Sequence, residues 1–203
     1  MVNVQSIPLT LEERLEVPGD ILALPGTMAE YIELLDVVDY QIEYHDQQII
    51  ALSYASYLHE KMVGLLAHTL ISQFSPSRYD VITSNHRIHI PNRVSDFAPD
   101  LFVVDGQPDF MKLGPTKTAV LNPHLVVEIL SEDTRSYDLL TKLPAYKSIE
   151  SVEYILYIET DTIAATLYYR DSETRLWCSR DYDARYGSIE IGAAAIELAD
   201  VYP

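Results

Sequence analysis

The stretch "PHLVVEILSEDTRSYDLLTKLPAYKSIESVEYILYIE", residues 123–159, decides the fold of this chain. It begins with an apolar run, residues 124–130, that is typical of a strand buried on both faces of a sheet. Glu128 lies inside this run, although burying a carboxylate costs several kcal/mol unless an opposite charge or hydrogen bonds compensate it. The sequence therefore predicts that Glu128 has a specific binding partner.

The residues after this strand predict a helix and then a second strand over residues 152–159. Pro144 lies inside the helical pattern, so we expect a kink or an early break there. Three residues are candidate N-caps of the helix: Ser131, Asp133 and Thr134.

Hydrophobic periodicity and turn residues assign the rest of the chain. They predict two helices that begin at capping boxes (Thr10–Glu13 and Thr27–Glu30), a hairpin over residues 40–52 that turns near Asp46 and Gln47, a long helix over 56–73, strands within 79–91 and 99–106, a loop over 107–122, and a hairpin formed by 163–170 and 175–182. This order predicts an α/β (α+β) fold in which helices flank a mixed β-sheet.

The composition indicates a single domain over residues 1–203, with N-terminal helices over 1–39 and the core over 40–203. No apolar run is long enough for a transmembrane helix, and the N-terminus lacks the pattern of a signal peptide. Cys178 is the single cysteine of the chain. We therefore expect a cytoplasmic protein without disulfides and without a membrane partner.

The net charge of −17 argues against a protein that coats nucleic acid non-specifically. Most of this charge lies in residues 1–60 and 151–203, and residues 61–150 are nearly neutral. An acidic protein can still act on a polyanion when metal ions lie between them. The fifteen tyrosines suggest base stacking, but most lie in strand patterns, where packing is the better interpretation.

Two carboxylates carry the strongest chemical signal. Asp100 follows a proline at the start of one apolar strand, and Glu128 lies near the end of the next. Carboxylates on neighbouring strands converge on hard cations such as Mg²⁺ or Mn²⁺. With a backbone carbonyl and a lysine, such a pair forms a site for phosphodiester hydrolysis. In the usual nuclease pattern the lysine lies two residues after the second acid, but Leu130 occupies that position here.

Lys142 is the alternative source of that lysine. From Glu128 the strand runs forward by roughly 10 Å, and the helix then returns by roughly 12 Å between Thr134 and Lys142. Lys142 is therefore expected to lie level with Glu128. Asp138 and Tyr146 share its helix face, since the three residues are four apart.

These residues resemble the Uma-two family of predicted endonucleases, which is abundant in cyanobacteria and has the restriction-endonuclease-like PD-(D/E)xK fold. The resemblance spans the chain from Thr10 to the C-terminus. Two departures are Gln47 at the hairpin glycine and Ile155 at a frequent tryptophan. The family pattern falls on Glu43, His59, Pro99, Asp100, Glu128, Ser131, Thr134, Asp138, Lys142, Tyr146, Glu153 and Tyr154.

The resemblance implies a metal-dependent endonuclease that acts on DNA. Asp100, Glu128 and the carbonyl of Ile129 would bind Mg²⁺ or Mn²⁺, Lys142 would serve the attacking water, and Glu43 would complete the acidic cluster. His59, Asp138 and Tyr146 would contact and position these residues without binding the metal ion themselves. A homodimer is expected, because a compact domain without a DNA-reading module often dimerises to cleave two strands.

Each of these residues also has a structural interpretation, which for Asp100 is a cap at the strand entry after Pro99. Glu128 and Lys142 fit a buried ion pair, and Lys142 alone fits a solvated helix lysine. Glu43 fits an exposed hairpin position, Asp138 a first-turn acid, and Tyr146 and His59 packing positions. At the level of the whole protein, the alternative is a catalytically silent interaction module that keeps the nuclease fold.

Overall fold

The computed structural model describes residues 6–83, 86–183, 187–192 and 194–202. The helices are α1 (Leu11–Leu15), α2 (Met28–Leu34), α3 (Tyr57–Gln73), α4 (Arg135–Tyr137), α5 (Leu143–Tyr146) and α6 (Leu198–Val201). The strands are β1 (Ile21–Pro25), β2 (Ile42–His45), β3 (Gln48–Leu52), β4 (Tyr79–Thr83), β5 (Arg87–Ile90), β6 (Ser95–Phe97), β7 (Leu101–Asp105), β8 (Phe110–Leu113), β9 (Lys117–Val120), β10 (Leu125–Leu130), β11 (Tyr154–Glu159), β12 (Ala165–Arg170), β13 (Trp177–Tyr182), β14 (Ser188–Ile191) and β15 (Ala194–Glu197).

A six-stranded mixed sheet in the order β13-β12-β11-β10-β7-β4 forms the centre of the molecule. Strand β10 pairs parallel to β11 and antiparallel to β7, and all six of its residues are buried, as its apolar run predicts. Helix α3 packs on one face of this sheet through Met62, Leu66 and Leu70. The other face packs against helix α5 and against β5 and β6 of a second sheet.

The second sheet has seven strands in the order β1-β3-β2-β6-β5-β9-β8, and β14 and β15 form a separate pair. The predicted hairpin β2–β3 turns at Asp46 and Gln47, whose φ angles are +48° and +60°. A two-residue turn with two positive φ angles matches the twist of the strands it joins. Gln47 therefore accepts the left-handed conformation that a glycine would adopt more easily.

The helical segment after β10 does not end at Pro144. A π-helical turn over Asp138–Lys142 joins α4 to α5, and the Leu143 N–H donates to the Asp138 carbonyl five residues earlier. Pro144 lies in the first turn of α5, where a residue without an N–H is tolerated. The expected break is therefore wrong, and the irregularity is a π-helical turn before the proline.

Both predicted capping boxes form, at Thr10 and Thr27, and helix α3 begins where the sequence predicted, after Ser56. The predicted loop over residues 107–122 is wrong, because it contains the paired strands β8 and β9. The N-terminal segment predicted as helices also contains β1, which pairs with β3.

The α+β fold class is confirmed, but the expected single sheet is replaced by three sheets. None of the helices in the described ranges combines the length and the apolar composition needed to cross a bilayer.

Candidate active site

Asp100 and Glu128 meet where strands β7 and β10 separate. The two strands stay paired as far as Leu101 and Val127, and the acids follow immediately beyond this pair. Asp100 Oδ2 accepts a hydrogen bond of 2.7 Å from the Ile129 N–H, and the Asp100 N–H donates at 3.4 Å to Glu128 Oε2. The end of the ladder thus holds both carboxylates side by side.

The Lys142 ammonium lies among three carboxylates in the interior of the protein. Its Nζ atom is 3.1 Å from Glu128 Oε1, 3.2 Å from Asp138 Oδ1 and 3.3 Å from Glu43 Oε1. The predicted return of the helix is therefore confirmed, and Lys142 is not a solvated surface lysine, since only 5% of it is exposed. The Glu128 carboxylate is thus paired with this ammonium, and it also accepts a 2.6 Å hydrogen bond from the Tyr146 hydroxyl.

Glu43 reaches the same cluster from the second sheet. It is fully buried, so its interpretation as an exposed hairpin residue is wrong. Its Oε1 atom accepts from the Ala98 N–H at 2.9 Å, and its Oε2 atom accepts from the Tyr137 hydroxyl at 2.7 Å. Sequence reasoning missed Tyr137, although it directly precedes Asp138 and its ring lies 5.4 Å from the Lys142 Nζ atom.

His59 contacts Asp100, and Tyr146 contacts Glu128. His59 Nε2 lies 3.1 Å from Asp100 Oδ2, and its Nδ1 atom is buried without a hydrogen-bond partner in the described part of the chain. The Tyr146 ring is fully buried and packs edge-on against Phe97. Both residues therefore touch the cluster, and Tyr146 is also part of the core.

The electrostatics of this cluster follow from burial and from crowding of acids. Burial raises the pKa of the Glu128 carboxyl well above its usual range, and the neighbouring acids add to the effect while Lys142 opposes it. Burial alone would lower the pKa of the Lys142 amine, but the carboxylates around it hold that pKa well above its usual range. Burial would likewise lower the pKa of the His59 imidazole. The hydrogen bond and the charge of Asp100 outweigh this effect, so the pKa is raised overall.

A cleft of about 350 Å³ opens onto these groups. Its lining includes Asp100, Glu128, Ile129 and Lys142, together with the rim residue Tyr54. A larger cavity of about 530 Å³ lies between α3, β4 and β8, but its lining is mainly apolar and contains no acid–lysine set. The candidate catalytic residues therefore line the smaller cleft.

The donor atoms at the cleft suit a hard cation. The Leu130 carbonyl accepts from Thr160 on the β11 side, whereas the Ile129 N–H points to Asp100 on the other side. The N–H and C=O of one strand residue point to the same edge, so the Ile129 carbonyl is directed towards Asp100.

Two carboxylates and this carbonyl form an oxygen set that suits Mg²⁺, which keeps several waters. Within the described ranges, no group of three or more His, Cys, Asp or Glu side chains forms a ready-made metal cage.

Comparison with known proteins places the chain in a family. The Uma2 family, described as "Putative restriction endonuclease", matches residues 28–198, and the chain belongs to it. A Synechocystis protein described as "Uncharacterized protein sll1609" is 28% identical over 133 residues, which is 66% of this chain and 74% of that protein.

A crystal structure supports the fold at greater evolutionary distance. It is described as a putative nuclease belonging to DUF820 from Anabaena variabilis, and it matches with a TM-score of 0.65 at 16% identity. The match covers 96% of this chain and 98% of that one. At this identity the comparison establishes the shared fold.

Proposed function

We propose that this protein is a metal-dependent endonuclease that hydrolyses DNA phosphodiester bonds. Asp100, Glu128 and the Ile129 carbonyl would hold Mg²⁺ or Mn²⁺. The observation that carries the proposal is the Lys142 ammonium 3.1 Å from Glu128, because it supplies from a helix the lysine that is missing at Leu130. Membership of a family described as restriction endonucleases supports the same reaction class.

The residues of the cluster would have different roles in this reaction. A bound metal ion would supply activated water and charge stabilisation at the phosphate. Lys142 would hold the attacking water by hydrogen bonding and offset the charge that grows on the phosphate. Glu43 and Asp138 hold the ammonium in place, each within about 3.3 Å of its Nζ atom.

Cleavage of supercoiled plasmid and of single-stranded circular DNA in Mg²⁺, Mn²⁺ or EDTA tests this function. Asp100→Asn and Lys142→Gln should each lower the metal-dependent rate by about 100-fold or more, the scale of a lost acid–base or electrostatic group. Lys117→Ala is the matched control, because Lys117 is exposed on β9. Circular dichroism would verify that each variant folds. Equal rates in Lys142→Gln and wild type would contradict the proposed role of the lysine.

The second candidate is the catalytically silent interaction module. It is favoured by one observation, namely that Lys142 already has three carboxylate partners and is almost completely buried. Such a network is also what a purely structural ion pair requires. Calorimetric titration with Mg²⁺ and Mn²⁺ separates the two functions: metal binding that Asp100→Asn abolishes supports the nuclease, and absence of binding together with absence of cleavage supports the module.

We further propose that the protein acts as a homodimer in the cytoplasm. Two-fold dimers are the commonest assemblies of compact soluble domains, and the single Cys178 suits a reducing compartment. Light scattering of the purified protein measures its mass directly, and a monomer at working concentrations would contradict the dimer. Fractionation of the native cells tests the location.

A further inference from the structure

We propose that the cleft accepts an unpaired DNA strand rather than a duplex, with Tyr54 at its rim as a stacking platform for a base. This inference rests on the proposed function, because it names the substrate class of the same site. Three independent features carry it: the depth of the reacting groups, the charge of the cleft lining and the exposure of one aromatic ring.

The reacting groups lie below the surface of the protein. The exposed fractions of the side chains are 4% for Glu128, 6% for Lys142 and 20% for Asp100. A cleft of about 350 Å³ lies in the size range of small-molecule pockets. A phosphodiester must enter this cleft to reach the acids, and a flexible single strand can do so. A duplex is stiff over about 150 base pairs and keeps its phosphates on its outer surface.

The cleft lining has little positive charge for a duplex backbone. Duplex binding depends on Lys and Arg side chains that neutralise several phosphates. Among the described residues that line the cleft, Lys142 is the only lysine or arginine, and it is already paired with acids. Five of the lining residues are acidic: Asp20, Asp100, Glu128, Asp133 and Asp138. Apart from the proposed metal ion, affinity for a substrate must therefore come largely from contacts other than phosphate neutralisation.

Tyr54 offers such a contact. This residue lines the cleft, yet 69% of it is exposed. The loop that carries it is anchored at both ends, since the Ser53 hydroxyl donates to Asp20 at 2.5 Å and the Ser56 hydroxyl caps helix α3. A tyrosine on a fixed loop stacks on any base that is unpaired, because every base has a π-face.

The chain contains a matched control for this residue. Tyr57 is 81% exposed and lies three residues away, but it does not line the cleft. It is two helix positions before His59, which does line the cleft, so its side chain points about 200° away around the helix. A variant of Tyr57 therefore shows the effect of losing an exposed tyrosine outside the cleft, and a variant of Tyr54 shows the effect of losing the one at the cleft.

Fluorescence anisotropy with a labelled 20-base strand, and with the same strand annealed to its complement, tests the inference. Measurements in EDTA and in Ca²⁺ keep binding separate from cleavage. We expect at least 10-fold tighter binding of the single strand and a shallow dependence on salt. Tyr54→Ala should weaken single-strand binding by about 5- to 100-fold, the loss of one stacked base, whereas Tyr54→Trp and Tyr57→Ala should bind like wild type.

The outcomes distinguish this inference from the proposed function. Binding of the duplex as tightly as the single strand, or unchanged binding by Tyr54→Ala, would overturn the inference even if the plasmid is cleaved. Single-strand binding that depends on Tyr54, without cleavage in any metal, would support the inference and overturn the endonuclease.

Discussion

At the scale of single residues, the structure explains how a carboxylate is tolerated inside an apolar strand. One oxygen of Glu128 accepts hydrogen bonds from the Lys142 ammonium and the Tyr146 hydroxyl. Within the described ranges, the other oxygen has only the long contact with the Asp100 N–H. Hydrogen bonds and an opposite charge thus offset the cost of burying it. The second oxygen lies beside Asp100, the residue that is proposed to bind a cation together with Glu128.

The first prediction concerns the stability contributed by Glu128 in metal-free buffer. Its pKa is raised by burial in the folded protein, so between the ordinary glutamate pKa and this raised value the folded chain holds a proton that the unfolded chain has released. This contribution to stability is complete at low pH and is lost as the pH rises through the folded pKa. The melting temperature of Glu128→Gln should therefore rise relative to that of wild type as the pH increases from 5 to 8. A constant difference between the two melting temperatures over this range would contradict a raised pKa.

At the scale of elements, the path of the chain explains how a lysine on a helix comes to lie beside Glu128. Strand β10 points Leu130 into the core, so that position is committed to packing. The segment α4–α5 then passes back over the sheet and brings Lys142 level with Glu128. A π-helical turn spans residues Asp138–Lys142, and such turns are frequent at functional sites.

The second prediction compares two leucines of this region. Leu130 is 2% exposed within the core, whereas Leu140, in the π-helical turn, is 77% exposed. Leu130→Ala should lower the free energy of unfolding by about 2–5 kcal/mol, as core truncations do, and Leu140→Ala should change it by less than about 0.5 kcal/mol. Urea denaturation of both variants provides the measurement. A small effect of Leu130→Ala would show that β10 is not packed as described.

At the scale of the whole molecule, the candidate site lies where the two large sheets and the helical segment come together. Glu43 comes from the seven-stranded sheet and Glu128 from the six-stranded sheet. Asp100 directly precedes strand β7, and Lys142 comes from the segment between β10 and β11. A ligand that binds these groups connects separate parts of the fold. It should therefore stabilise the folded protein as a whole by mass action.

The third prediction is a cation-dependent melting temperature. Mg²⁺ or Mn²⁺ at about 100 times its dissociation constant should stabilise the protein by about 2.7 kcal/mol, and EDTA should reverse the shift. Asp100→Asn should remove most of the shift. Asp109→Asn, at an exposed acid before β8, should retain it. Differential scanning fluorimetry gives the comparison, and an equal shift in wild type and Asp100→Asn would place the cation elsewhere.

The sequence by itself determined the local elements and the order of the chemical groups. These patterns involve neighbouring residues: the apolar run with Glu128, the capping boxes at Thr10 and Thr27, and the helix spacing that places Lys142 near Glu128. The structures that they form depend mainly on backbone hydrogen bonding and on side-chain periodicity, which involve residues only a few positions apart. The family resemblance added Glu43 and His59, which local patterns alone would not have connected with Asp100.

The tertiary structure decided what depends on partners distant in the chain. Whether Glu43 is exposed or buried depends on Ala98 and Tyr137, which lie 55 and 94 residues away. Strands β8 and β9 resemble a loop in sequence, and they become strands because β9 pairs with β5 at the rim of the second sheet. The burial of a charge and the pairing of a polar strand are settled by the groups that face them, so only the assembled fold determines which acids share one ammonium.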